Sequence, residues 1–197
     1  MDIAEADGRL LDAAESLFYE HGVQAVGMDR IRAASGVSLK RLYQRFPSKE
    51  VLVEAYLRRR DERWRGALAA YVATCPVAAR PLAVFDWLEE WFGEPDFRGC
   101  AFINAYGELG TGSPAVAEAV RDHKAEVLRY LTGLVRAAGV PEPGPVAGQL
   151  AVLADGAITT AAVTGTPGAA RRAREAAAVL LEAAGGVTAA ESGPVRG

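Results

Sequence analysis

Between Gly22 and Lys49 the chain is punctuated so closely that it can build little besides two short helices and a turn. The first helix is predicted from Met28 to Ser35, with Ile31 and Ala34 three residues apart on the side expected to face a core. Gly36 ends it, because glycine enters the left-handed conformation at little steric cost, and Val37 anchors the turn. Ser38 is placed to cap a second helix, Leu39 to Phe46, which Pro47 stops. Leu39, Leu42 and Phe46 share one face of that helix, while Lys40, Arg41, Tyr43, Gln44 and Arg45 carry the opposite one. A short helix with a basic, amide-bearing and aromatic outer face, held by a partner helix, has what reading a DNA major groove requires.

The same residues resemble the DNA-binding domain of the TetR/AcrR family of one-component regulators. The family pattern is a helix ending in F-x-x-x-G, an I-A-x-x-A-G-V-S helix-turn, and then L-Y-x-x-F-x-S-K-E-x-L. The matching positions are Phe18 and Gly22; Ile31, Ala34, Gly36, Val37 and Ser38; then Leu42, Tyr43, Phe46, Ser48, Lys49, Glu50 and Leu52. The resemblance runs over residues 8–60, the first third of the chain. It implies phosphate contacts from Tyr43 and Lys49, an effector pocket in a helical body, and a dimer. Two positions depart from the pattern. Gly27 stands where the family usually has a Thr or Ser that caps the second helix and contacts a phosphate, and Arg32 stands where it usually has Ala. Glycine still caps, slightly less well, and Arg32 can supply the missing phosphate contact.

Half of the 197 residues are hydrophobic, and alanine outweighs β-branched and aromatic runs, which favours an all-α fold. No apolar run reaches the ~18 residues needed to span a bilayer, so no membrane partner is expected. The sequence from Met1 to Glu5 has neither a basic nor an apolar region of the kind that opens a secretory signal. Cys75 and Cys100 are widely spaced and form no metal-type cluster, which fits a reducing cytoplasm with no metal and no cofactor.

The net charge is −3, yet between residues 28 and 65 there are eleven basic and only five acidic side chains. A basic region on an acidic chain suits a protein that meets nucleic acid with one end only. Arg58-Arg59-Arg60 falls inside a predicted long helix, where it is either a solvated face or a source of long-range attraction for DNA.

Along the chain, helices are expected over residues 4–21, 28–35, 39–46, 48–75, 77–92, a short one following Phe97-Arg98-Gly99-Cys100, then 114–139 with Ser113 as cap and Pro114 at its first position, 146–164 and 169–184. Ser48-Lys49-Glu50-Val51 is one residue short of a capping box. About nine helices divide into a helix-turn-helix head over residues 1–50, with the fourth helix as connector, and a regulatory and dimerisation body over 51–184. Residues 185–197 are expected to be a disordered tail.

Candidate functions follow from the side chains. Lys40, Arg41 and Gln44 are the base-reading candidates, since Lys or Arg donates to guanine and Gln pairs with adenine. Arg32, Ser38, Tyr43 and Lys49 complete the DNA-binding set. Aromatic side chains crowd the centre of the chain, and Trp87, Trp91, Phe102, Asn104, Tyr106 and His123 are the candidates for a small-molecule site; a plain aromatic core is the alternative. Asn104 lies in Arg98–Ala105, which looks like a motif of one branch of the family, with Asn104 bonding a neighbouring backbone. Cys100 with His123 offers a thiolate nucleophile only weakly, and no catalytic residue is assigned.

The helix from Val146 is apolar nearly all round, with Asp155 its single charge, so it has more apolar surface than one side can bury. Leu150, Leu153, Ala154, Ala157 and Ile158, with Ala177 and Leu181 of the last helix, are the expected homodimer interface. The reading is a dimeric regulator of a palindromic duplex operator, a repressor released by a small-molecule inducer. The alternatives are a helical enzyme or ligand carrier that reuses the head, and a regulator that senses no small molecule.

Overall fold

The computed structural model describes residues 3–110 and 112–185; the expected tail lies outside them, apart from Gly185. Among the described residues there are nine α-helices and one 3-10 turn and no strand, the all-α fold expected. They are α1 (Ile3–His21), α2 (Met28–Ser35), α3 (Leu39–Arg45), α4 (Lys49–Ala73), α5 (Arg80–Phe92), α6 (Ala101–Leu109), α7 (Pro114–Ala137), α8 (Pro143–Thr164) and α9 (Gly168–Ala183), with the 3-10 turn at Val77–Ala79 before α5. The helix expected from residue 77 to 92 is thus divided where Arg80-Pro81 starts a new first turn, a position proline tolerates because the amide there has no helical partner.

The helices form two compact units, and their boundaries fall within α4 and α7. The first comprises residues 3–64 and 100–124, that is α1 to α3, the N-terminal part of α4, α6 and the start of α7. Its core is made by Leu10, Ala14 and Phe18 of α1, Ile31 of α2, Leu42 of α3, and Leu52, Val53, Tyr56 and Leu57 of α4, all buried. Burial raises the Tyr56 phenol well above its usual value, and Phe18 packs on it with ring centroids 5.7 Å apart.

The second unit holds the rest of α4, α5, the C-terminal part of α7, α8 and α9. Here α5 packs against both α8 and α9. Phe85, Leu88, Leu131, Leu150, Ala157, Ile158, Ala177 and Leu181 are buried, and Arg174 of α9 pairs with Asp86 of α5 at 2.7 Å. The expectation that no segment is apolar and long enough to cross a membrane does not hold for α8, which meets that test by length and composition. One side of it, carrying Leu150, Ala157 and Ile158, is buried in the second unit.

Candidate nucleic-acid interface

Each stop signal in the opening segment is used. Gly36 ends α2 at φ +65° and its N–H reaches the Arg32 carbonyl. Ser38 caps α3, its Oγ accepting from the Arg41 N–H at 3.4 Å. That helix ends at Arg45 with Phe46 as its C-cap, one residue earlier than expected. Ser48 caps α4 by accepting from the Val51 N–H. Glu50, one position early for a capping box, still serves the turn: its carboxyl is held below its usual value by its own backbone N–H and then by the Ser48 hydroxyl.

Two periodicity readings are corrected. Ala34 is exposed, and Ser35 is the buried partner of Ile31. A hydroxyl can sit there because its Oγ donates to the Arg32 carbonyl at 3.1 Å and accepts from the Val37 N–H at 3.2 Å. Leu39 is 43% exposed, so the buried anchors of α3 are Leu42 and, at its C-cap, Phe46. Across the helix from these anchors, Lys40, Tyr43 and Gln44 stand exposed, with Arg41 partly so and Lys49 partly exposed at the start of α4. Ser38 and Arg32 are exposed too, and Arg32 lies 4.0 Å from Asp29 one turn earlier. All seven DNA-binding candidates therefore lie in the first unit, on α2, on α3 with its Ser38 cap, and at the first residue of α4. Gly27, extended at the N-cap of α2, makes no side-chain cap, as its lack of a hydroxyl requires.

Much of the basic charge counted in the sequence is already engaged. Arg59, Arg60 and Arg63 converge on Glu15 of α1 at 2.9–3.1 Å, Arg59 also meets Asp12, and Arg60 lies over the Tyr19 ring. Arg58 pairs with Glu54 and Asp122, and Arg45 with Asp7 at 2.5 Å. The arginine triplet is thus neither a bare solvated face nor a free cationic patch. Lys40 and Arg41 stand on α3 and Lys49 opens α4, each at least partly exposed.

The six small-molecule candidates fall into two sets. Trp87 and Trp91 belong to the second unit, stacked on each other at 5.7 Å, with Phe97 edge-on to Trp91 at 5.0 Å. Phe102, Asn104, Tyr106 and His123 belong to the first. Phe102 and His123 are buried with rings stacked 3.6 Å apart; Asn104 and Tyr106 are exposed.

Most of the expected dimer residues are buried within their own unit: Leu150, Ala154, Ala157, Ile158, Ala177 and Leu181 are each less than 9% exposed, and only Leu153 is intermediate. They make the α5–α8–α9 core. The outward side of this pair carries Val152, 72% exposed, Val163, 82%, and Val179, 65%. A helix apolar all round hides from sequence which of its two apolar sides turns inward.

Sequence reasoning did not find the roles of Glu15 and Asp61, and it placed Glu108 only among the polar groups of the aromatic-rich body. Asp61 Oδ1 lies 2.6 Å from His123 Nδ1. Glu108 accepts from the Val23 and Gln24 N–H groups at 3.0 and 2.6 Å. The partners are 62 and 85 residues apart, and no local pattern links such positions.

Residues 10–56 match the family model described as bacterial regulatory proteins of the tetR family. An uncharacterized HTH-type transcriptional regulator of Mycobacterium tuberculosis is 37% identical over 79 residues, 40% of this chain and 39% of the relative. The HTH-type transcriptional activator FasR of Mycolicibacterium smegmatis is 47% identical over 55 residues, 28% of this chain and 25% of its own. Both matches span less than half of the relative's length. Among solved structures, a TetR-family transcriptional regulator from Streptomyces coelicolor aligns at a TM-score of 0.83 and 30% identity, over 92% of this chain and 96% of that one. A regulator from Streptomyces avermitilis aligns at 0.79 and 28% over 92% and 99%. Reduced NemR of E. coli shares the fold, at 0.78 and 20% over 89% and 96%.

Proposed function

The chain belongs to the TetR family of transcriptional regulators, and on that footing we propose that it acts as a dimeric cytoplasmic repressor that leaves a palindromic operator when a small molecule binds. The family is one of DNA-binding regulators and not of enzymes, so the enzyme reading is set aside. The observation that carries the proposal is the outer face of α3, where Lys40, Tyr43 and Gln44 are exposed opposite buried Leu42.

In this reading Lys40, Arg41 and Gln44 read base edges, and Tyr43, Lys49, Ser38 and Arg32 hold phosphates. Two copies associate through the outward side of α8 and α9, around Val152, Val163 and Val179. Isolated exposed valines are ordinary, but three on one helix pair ask for a cover. Two-fold symmetry then sets half-sites a helical turn or more apart, about 34–36 Å.

The effector is proposed to act through Phe102 and His123, because α6 and the start of α7 share a compact unit with α3. Trp91 is buried and is taken as core, with the half-buried Trp87 stacked against it. A ligand that favours a poor DNA-binding conformation lowers DNA affinity, and DNA lowers ligand affinity by the same factor, typically about 5- to 150-fold.

The test is selection of a duplex from a random-sequence pool by the full chain, followed by anisotropy titration. Arg41→Ala and Gln44→Ala should relax sequence preference, each bidentate base contact being worth about 1–3 kcal/mol. Unchanged affinity and preference in a Lys40/Arg41/Gln44 triple alanine variant overturns the assignment. Transcription in vitro from a promoter carrying the selected site should fall; a rise would make the protein an activator, as FasR is named.

A further inference from the structure

Glu108 stands at the last turn of α6, far in sequence from any DNA-reading residue, and yet it organises the loop that leads into α2. Its Oε1 accepts from the Val23 N–H at 3.0 Å and its Oε2 from the Gln24 N–H at 2.6 Å. The Gln24 side chain returns the contact, its Nε2 donating to the Glu108 carbonyl at 2.7 Å. A carboxylate that accepts two adjacent backbone amides acts as a fork, and charge-assisted bonds of this kind are stronger than neutral ones. Gly22 is shaped for it: at φ +85°, a Cβ there would come within 3.1 Å of Glu108 Oε1. Glycine at the end of α1 thus suits both the left-handed backbone and the close approach of the Glu108 carboxylate.

The chain of contacts continues to the DNA side. Lys49 Nζ donates to the Gln24 carbonyl at 3.4 Å, so the ammonium rests on the same peptide segment that Glu108 holds. We propose that Glu108 is a positioning residue for DNA binding: through Gln24 it sets the place of the Lys49 ammonium, and it makes α6 part of the phosphate-gripping apparatus. The proposal rests on the DNA-binding reading above. A displacement of the end of α6 would then reach a phosphate contact through one carboxylate and one peptide, without any change in α3.

The experiment measures affinity of the full chain for its selected duplex across a salt series. Each lysine–phosphate contact contributes about 0.9 to the slope of log K against log[salt]. Lys49→Ala should lower that slope by about one, and Glu108→Ala should lower it by the same amount although it removes a negative charge. The double variant should lose no more than Lys49→Ala alone, which is the signature of two residues acting on one contact. Glu108→Asp, which keeps the charge but shortens the reach, should behave like Glu108→Ala, whereas Glu118→Gln on α7 should leave the slope unchanged. If Glu108→Ala is too unstable to titrate, Gln24→Pro reports instead, since it deletes the accepted N–H, and it should show the same slope. Wild-type binding with an undiminished slope in the Glu108 and Gln24 variants, or additive losses in the double variant, overturns this proposal alone. A wild-type chain that selects no duplex overturns the DNA-binding reading and this one with it.

Discussion

The imidazole of His123 lies flat on the ring of Phe102, centroids 3.6 Å apart and planes 1° apart. Its Nδ1 meets Asp61 Oδ1 at 2.6 Å, and the Trp64 ring lies 5.6 Å from it in an edge-to-face arrangement. The carboxylate thus holds a buried polar ring in place. Asp61→Ala should therefore take that partner from the imidazole and cost about 1–3 kcal/mol, the usual penalty when a buried polar group loses a hydrogen bond. Urea unfolding followed by circular dichroism checks it, and a midpoint equal to wild type would show that the pair contributes little.

Gly27 marks a place where the protein can be improved. Its backbone is extended, as an N-cap requires, and a Cβ built on it would meet nothing within 4 Å. Gly27→Ser should raise stability by a few tenths of a kcal/mol, about the difference between Ser and Gly caps. The new hydroxyl should also tighten binding to the selected duplex. Weaker binding by the Gly27→Ser protein would show that Arg32, not a hydroxyl, suits this site.

The two apolar sides of α8 should respond differently to charge. Ile158 is buried in its own unit, so Ile158→Glu should unfold or strongly destabilise the chain. Val152→Glu and Val163→Glu, at exposed positions, should keep native circular dichroism and yield monomers by light scattering. A dimer that survives both outward charges would place the interface elsewhere.

Trp91 is core by its neighbours. With Trp87, Phe92 and Phe97 around it, Trp91→Ala should cost about 3–5 kcal/mol, as large-to-small core changes do. Should it lose little stability and instead abolish an effector's action on DNA binding, the site would have to be moved to this cluster.

Acid stability should carry a trace of the α4 cap. Glu50 has its carboxyl lowered by its own backbone N–H and by Ser48. The lowered folded value means its contribution is present above the ordinary carboxylate range and disappears as pH falls through that folded value. Glu50→Gln should therefore melt below wild type at neutral pH, with the two curves converging in acid. Parallel melting curves across that range would count against the cap.

What could be read from the linear chain was whatever neighbouring residues decide among themselves. Gly36, Ser38 and Pro47 act within a turn of where they stand, so α2 was placed to the residue and α3 to within one. The family resemblance and the exposed basic and amide face of α3 came from the same short range. Tertiary packing decided the rest. It chose Ser35 over Ala34, because a hydroxyl bonded to Arg32 and Val37 can be buried. It turned Leu150 and Ile158 inward and Val152 and Val163 outward, a choice an all-apolar helix leaves to its neighbours α5 and α9. It also gave Glu15 its three arginines and Glu108 its two amides. Those pairs join groups 44 to 85 residues apart, and only the folded chain brings such charges within hydrogen-bonding distance.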